Sequence, residues 1–241
     1  MPRSPFGSFL LWNEKVDKQK IIEDFETVKS DLQSKGIVKL MLNHPAPIYP
    51  GFDDTWLKEA GFKKTYHEIN QHIELNDFST STLHKMQQRK LDSLIKKGFQ
   101  FRMLPDEELA TIHQFIEVCR KTQGLEINIS LELLEKLFQA TQAYDLFGVY
   151  RNGKISAACI AVRVSNEVAY YYLPATSPLF RSQSPMVLLM KGMIDHYSDN
   201  GFRQFDLGIS SIKGNPQETL RIFKNRMGAV ETPKTSWELR V

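Results

Sequence analysis

The chain has 241 residues, 41% of them hydrophobic and 24% charged, with a mean hydropathy of −0.35 and a basic excess of only three charges. That is enough apolar content for one large domain or two modest ones, and too little net charge to mark a nucleic-acid-binding surface. No apolar run reaches the roughly 18 residues of a membrane span, and the stretch Met1 to Gly7 lacks the apolar core of a signal peptide. Cys119 and Cys159 sit in apolar settings without metal-ligand or redox spacing. A cytoplasmic protein with two buried thiols and no metal site is expected.

The segment Ser4-Pro5-Phe6-Gly7-Ser8-Phe9 reads as a structured turn. An amphipathic helix follows from about Asp17 to Lys35, with Ile21, Ile22, Phe25, Val28 and Leu32 at helical spacing. Gly36 stops it, and Ile37 to Leu42 reads as a buried strand ending in the proline-rich loop His44 to Gly51. Asp53 or Asp54 is placed to cap a short helix carrying Trp56, Leu57 and Ala60, after which Tyr66 to Leu75 reads as extended.

A second unit begins at Ser79 with a helix through Leu83, Met86, Leu91, Leu94 and Ile95, ended by Gly98. A strand from Phe99 to Met103 leads to helices near Pro105 to Thr122 and Ser130 to Thr141. Asp145 to Tyr150 and Ile155 to Val164 flank Asn152-Gly153, whose positive φ preference predicts a type I′ hairpin. Val168 to Leu173 forms a third strand, then come a helix from Ser184-Pro185, a strand Phe202 to Leu207, a helix Gln217 to Arg226 and a closing strand.

Two stretches share one layout. Ser4-Pro5-Phe6, helix, Gly36-Ile37, strand, helix, Gly61 is echoed by Ser184-Pro185-Met186, helix, Gly201-Phe202, strand, helix, Gly228. The intervals are 25 positions from Gly36 to Gly61 and 27 from Gly201 to Gly228. Either the unit is duplicated, and the chain starts midway through its first copy, or glycine punctuates two independent helix–strand–helix runs.

These residues carry a family resemblance. The proline-bearing Ser4 to Phe9 segment, the basic helix Lys85 to Gly98, the Phe147-Gly148-Val149-Tyr150 hairpin with Ala157-Ala158, the strand end Phe205-Asp206-Leu207-Gly208, and Phe223-Lys224 ahead of Gly228 occur in the order of a GNAT-fold acyltransferase. The chain resembles the FemAB-like branch, built from two fused GNAT-related units. The resemblance implies an α/β fold with a mixed, mostly antiparallel sheet flanked by helices, a partial GNAT-related unit over residues 1–78 and a GNAT-like acyltransferase domain over residues 79–241.

It also implies transfer of an acyl or aminoacyl group from a thioester or aminoacyl ester to an amine on a small molecule or peptide. The implied donors are acetyl-CoA or another acyl-CoA, or a charged tRNA as in the ligases that extend peptidoglycan bridges. A non-catalytic member that binds a metabolite or partner is the alternative.

The GNAT pattern for a coenzyme A pyrophosphate is a glycine-containing loop at a helix N-terminus, preceded by a basic residue. Here the loop is Phe180-Arg181-Ser182-Gln183-Ser184-Pro185-Met186, without glycine. Arg181, Ser182, Ser184 and Met186 are therefore candidate donor-binding residues, with an ordinary capped helix start as the competing reading.

Acyl transfer to an amine needs an uncharged nucleophile, a stabilised oxyanion and a route for the proton. Asp206, at a strand end, either orients or deprotonates the amine or caps the turn at Gly208. Lys224 either stabilises an oxyanion or binds phosphate, as the resemblance implies, or is a solvated helix lysine. Tyr170 and Tyr172 share one face of their strand and Tyr171 the other, and Tyr172 is the candidate proton donor to a leaving thiol. Phe223 and Tyr170 are candidate walls for substrate. Lys85, Arg89 and Lys96 fall on one side of their helix, either as a solvated face or as a surface for an anionic substrate.

Overall fold

The structure, a computed structural model, describes residues 18–49 and 54–241. The turn expected at Ser4 to Phe9 and the alternative cap Asp53 lie outside the described residues. The chain forms two compact units, one from Met1–Asn70, Ile209–Arg221 and Glu231–Val241, the other from Gln71–Gly208 and Ile222–Val230. Among the described residues no helix is long and apolar enough to cross a membrane.

The first unit contains α1 (Lys18–Ser34), β1 (Lys39–Asn43), α2 (Thr55–Glu59), most of β2 (Lys63–Glu74), the small ladder β8 (Ser211–Ile212) with β9 (Asn215–Pro216), the first turn of α7 (Glu218–Arg226), and β10 (Val230–Arg240) from its second residue. Its strand order is β1-β10-β2, and Leu42 of β1 faces Trp237 of β10 in an antiparallel register. Phe25 of α1 packs edge-on to Trp56 of α2 at 5.8 Å and lies 5.3 Å from Phe62, so the amphipathic stripe closes over an aromatic centre.

The strand expected to be buried is an edge strand, bordered among the described residues by β10 alone, and Val38 and Met41 are 75% and 49% exposed. Apolar composition favours a strand there, but only neighbouring strands decide whether it is covered. Asp54 occupies the N-cap position of α2 without a side-chain cap bond.

The second unit contains the end of β2 from Gln71, then α3 (Lys85–Lys96), β3 (Gln100–Leu104), α4 (Leu109–Lys121), α5 (Leu131–Ala140), β4 (Tyr144–Arg151), β5 (Lys154–Arg163), β6 (Val168–Thr176), α6 (Met186–Asp199), β7 (Gln204–Ile209) up to Gly208, and the end of α7. Its strands run β7-β6-β5-β4-β3, antiparallel except for the parallel pair β6–β7. Asn152 and Gly153 have φ of +48° and +73°, as the type I′ hairpin requires.

Helices cover both faces. One core cluster joins Leu91 and Leu94 of α3, Val187 and Met193 of α6 and Phe205 of β7, while the other joins Ile112 and Ile116 of α4, Leu134 of α5 and Ile160 of β5. Both cysteines are buried free thiols. The helix expected from Ser79 begins at Lys85, because a 3-10 turn at Thr80–Thr82 intervenes and His84 accepts the Met86 amide as the cap. The helix expected from Pro105 likewise starts at Leu109, after a 3-10 turn.

Candidate active site

The parallel pairing of β6 and β7 runs from Val168↔Gln204 to Tyr170↔Asp206 and goes no further. Next to that last pair β6 carries one extra residue relative to β5, since Val162 faces Tyr170 while Ile160 faces Leu173. The bulge resets the alternation of the strand. Tyr171 packs edge-on to Phe205 on the α6 face at 5.9 Å, whereas Tyr172, Leu173 and Ala175 pack with the α4 cluster. The two parallel strands therefore end their pairing as a wedge, with Tyr170 and Asp206 at its apex.

Asp206 is 1% exposed, and its Oδ1 accepts the amide of Gly208 at 2.8 Å. Gly208 has φ +72°, and an added Cβ there would lie 3.3–3.4 Å from the ring and hydroxyl of Tyr170. Glycine thus serves both the left-handed turn and the close approach of the phenol. Lys224 of α7 is 3% exposed and donates from Nζ to the Gly208 carbonyl oxygen at 2.9 Å. Burial pushes its pKa down to about 8, against the charge of Asp206, which raises it.

Burial pushes the Tyr170 phenol well above its usual range, and the charge of Asp206 adds to that effect. Tyr170 is therefore a neutral donor at physiological pH. Tyr172 stands further along β6, with its ring centroid 6.1 Å from that of Tyr170. Phe223, beside Lys224, is partly buried against the α6-side core.

The donor-loop candidates lie between β6 and α6. Pro178–Gln183 makes a 3-10 turn, and Ser184 then takes φ +58° and ψ +49°, the left-handed conformation that a glycine would adopt more cheaply. Pro185 precedes the first turn of α6. Arg181 and Ser182 are exposed, while Met186 accepts the hydroxyl of Tyr171 through its sulfur. Lys90 of α3 donates to Ser184 Oγ at 3.1 Å, and Arg151 donates to Gln183 Oε1 at 2.9 Å with its guanidinium 5.1 Å from the Phe99 ring. Two cations thus brace a loop whose conformation glycine would otherwise supply. Together with the start of α6, the cationic loop suits a phosphate-bearing donor.

Lys85, Arg89 and Lys96 are exposed on α3, on a different side from Lys90, which turns toward the loop. The sequence singled out the basic helix, but it could not say which of its cations meets Ser184.

Two further residues carried no signal in the sequence. His72, at the end of β2, is 3% exposed, and its Nδ1 has no hydrogen-bond partner among the described residues. Burial lowers its pKa, opposed first by the charge of Asp206 and then by that of Glu74. Arg120, near the C-terminus of α4, is half-buried, donates to the Pro174 carbonyl at 3.5 Å and has no carboxylate within ion-pair distance among the described residues. Burial lowers its pKa, while Cys159 and the three tyrosines of β6 act in the opposite direction. It is a cation held beside the tyrosine strand.

The sequence profile of the acetyltransferase (GNAT) domain matches residues 83–216, more than half of the chain. The chain belongs to the GNAT family. The GNAT domain so defined contains the wedge, the loop between β6 and α6 and Asp206, while Lys224 lies just beyond it. No protein of curated function matches the sequence.

Among solved structures, FemX superposes with a TM-score of 0.73 at 13% identity, covering 100% of this chain and 82% of FemX. The C-terminal domain of a putative lysylphosphatidylglycerol synthetase from Agrobacterium fabrum gives 0.68 at 14%, covering 92% of this chain and 74% of that one. L-PGS from Bacillus licheniformis gives 0.66 at 12%, covering 91% and 73%. At such identities the likeness is one of fold: a mixed, mostly antiparallel sheet flanked by helices, as in the FemAB-like GNAT proteins.

Proposed function

We propose that this GNAT protein transfers an acyl or aminoacyl group from a thioester or aminoacyl ester to an amine, with the reaction centred on Asp206, Gly208, Lys224 and Tyr170. The observation that carries this reading is a buried lysine and a buried aspartate meeting at one glycine, beside a neutral phenol, where two parallel strands part. Asp206 orients the amine and accepts its proton. Lys224 opposes the negative charge that develops on the carbonyl oxygen of the tetrahedral intermediate. Tyr170 returns a proton to the departing sulfur or oxygen, with Tyr172 lining the path beyond it.

The donor's phosphates are assigned to Lys90, Arg181, Ser182, Ser184 and the N-terminus of α6, and Met186 and Phe223 to the apolar walls. The donor supplies the activated acyl group, and the residues above position it and move its protons. Two of the similar folds are the C-terminal domain of a putative lysylphosphatidylglycerol synthetase and L-PGS, and an aminoacyl ester is kept as a second donor class. Residues 1–78 are read as a partial GNAT-related unit. The order α1-β1-α2-β2 is echoed by α6-β7-α7-β10, with the short β8–β9 ladder inserted before α7, and the glycines at 36, 61, 201 and 228 share positive φ values, which supports that reading.

Side-by-side titration with acetyl-CoA, free coenzyme A and charged tRNA tests the proposal. Binding of one donor class, with turnover of a primary amine lost in Asp206→Asn and Lys224→Ala, is expected. Absence of binding to all three would sink the enzyme reading and leave a non-catalytic metabolite- or partner-binding protein.

A further inference from the structure

Away from β7, the second unit has a pocket of about 250 Å³, partly open to solvent, where β3 and β5 end and β4 begins. Its polar lining centres on Asp145, Asp106 and Arg163, and its apolar walls include Leu104, Phe138 and Tyr144. The rings of Phe138 and Tyr144 stack at 5.1 Å with 24° between their planes. None of these residues contributes to the wedge between β6 and β7.

Asp145 is 5% exposed. Its Oδ2 accepts the Tyr197 hydroxyl at 3.0 Å and lies 3.3 Å from Arg163 Nε, while another nitrogen of the same guanidinium donates to the Gln142 carbonyl oxygen. Both polar partners thus converge on one carboxylate oxygen of a residue that lines the pocket. A buried carboxylate needs its lone pairs met and its charge balanced. Burial raises the pKa of Asp145, opposed first by the charge of Arg163 and then by the Tyr197 hydrogen bond and His196, while the negative charge of nearby Asp106 adds to the rise. With two carboxylates against one guanidinium, the lining attracts added positive charge.

We propose that this cavity binds a small organic cation, a primary ammonium on a short apolar stem, with Asp145 as its anchor. The ammonium meets the carboxylate of Asp145 on the side facing Asp106, and the stem lies along the Phe138 and Tyr144 rings, whose faces favour a cation nearby. Two carboxylates are too few oxygen ligands to enclose a hard divalent ion, and the apolar walls would serve no purpose for one. The volume lies below the range of about 300–1,000 Å³ that suits drug-sized ligands, which favours a compact amine. The site is independent of the transfer centre and stands whether or not that centre is active.

Met103 also lines the cavity, so its methyl group reports occupancy. The experiment uses the full chain with 13C-methyl methionine, the Met103 signal being assigned through Met103→Leu. The probes are 2-phenylethylamine at neutral pH and its neutral and anionic counterparts, 2-phenylethanol and phenylacetate.

The expected result is a saturable shift of the Met103 signal with the amine, binding about tenfold weaker or worse for the alcohol, and none for the acid. Asp145→Asn should weaken the amine about tenfold. Asp106→Asn, at an exposed position whose replacement leaves the core intact, should weaken it about threefold and keeps the test decisive if Asp145→Asn fails to fold. Equal binding of amine and alcohol, or no saturation below about 10 mM, would overturn the proposal.

Discussion

The ammonium of Lys224 lies 2.9 Å from the carbonyl oxygen of Gly208, whose own amide is bonded to Asp206, so one residue receives a buried cation on its carbonyl and a buried carboxylate on its amide. The peptide groups around Gly208 tie the two charges together at the end of β7. That arrangement sets the chemistry assigned to the site and also its pH limits.

Because burial brings Lys224 down to about 8, acyl transfer that depends on its charge should decline as pH rises through about 8. Asp206 is what raises that value, so Asp206→Asn should move the decline to lower pH as well as slowing turnover. Lys224→Gln should cost about 10²–10³ in kcat, the usual penalty for losing an oxyanion donor. A rate that instead climbs through pH 8 would reassign Lys224 as a base. The pH–rate profiles of the three proteins decide between these.

The same lysine affects stability. In the unfolded chain it keeps its proton to 10.5, and in the folded chain only to about 8. Between those values the unfolded state binds more protons, so the contribution of Lys224 to stability rises with pH across that window. Urea midpoints at pH 7.5 and 9.5 should therefore gain less on raising the pH in Lys224→Met than in the parent protein.

Lys90→Ala should weaken coenzyme A binding about tenfold by calorimetry, because it removes a cation that reaches Ser184. Lys85→Ala and Arg89→Ala, exposed on the same helix, should change it less than about twofold. Equal losses in all three would mean that the helix acts through its general charge and that the Lys90 contact contributes nothing of its own.

Gly192, inside α6, has no room for a side chain, since a Cβ there would stand 2.4 Å from the ring of Phe101. Gly192→Ala should lower stability by about 1–3 kcal/mol even though alanine favours helix. The double variant Gly192→Ala with Phe101→Leu should recover part of the loss in thermal melts.

The order of elements was legible in the chain because glycines end the helices, Asn152-Gly153 specifies its own turn and the apolar spacing of 3.6 or 2 marks each segment. Asp206 was legible as a strand-end carboxylate near a glycine. The capping bond to Gly208 is local, and the sequence already offered it as one of two roles. The burial of Lys224 was not legible, since on α7 it reads like any helix lysine until the other elements of its unit cover it. His72 and Arg120 were missed for the same reason: their significance lies in which groups surround them.

What the sequence determined by itself was the succession of helices and strands, the glycine-marked turns and the family resemblance, all of which depend on local conformational preference and residue spacing. The tertiary structure alone decided that β1 is an edge strand, that β6 bulges beside the Tyr170↔Asp206 pair, that Lys90 is the α3 cation that meets Ser184 and that Asp145 lines a pocket. Burial, strand neighbours and long-range pairing fix those properties, and each requires residues far apart in the chain to meet.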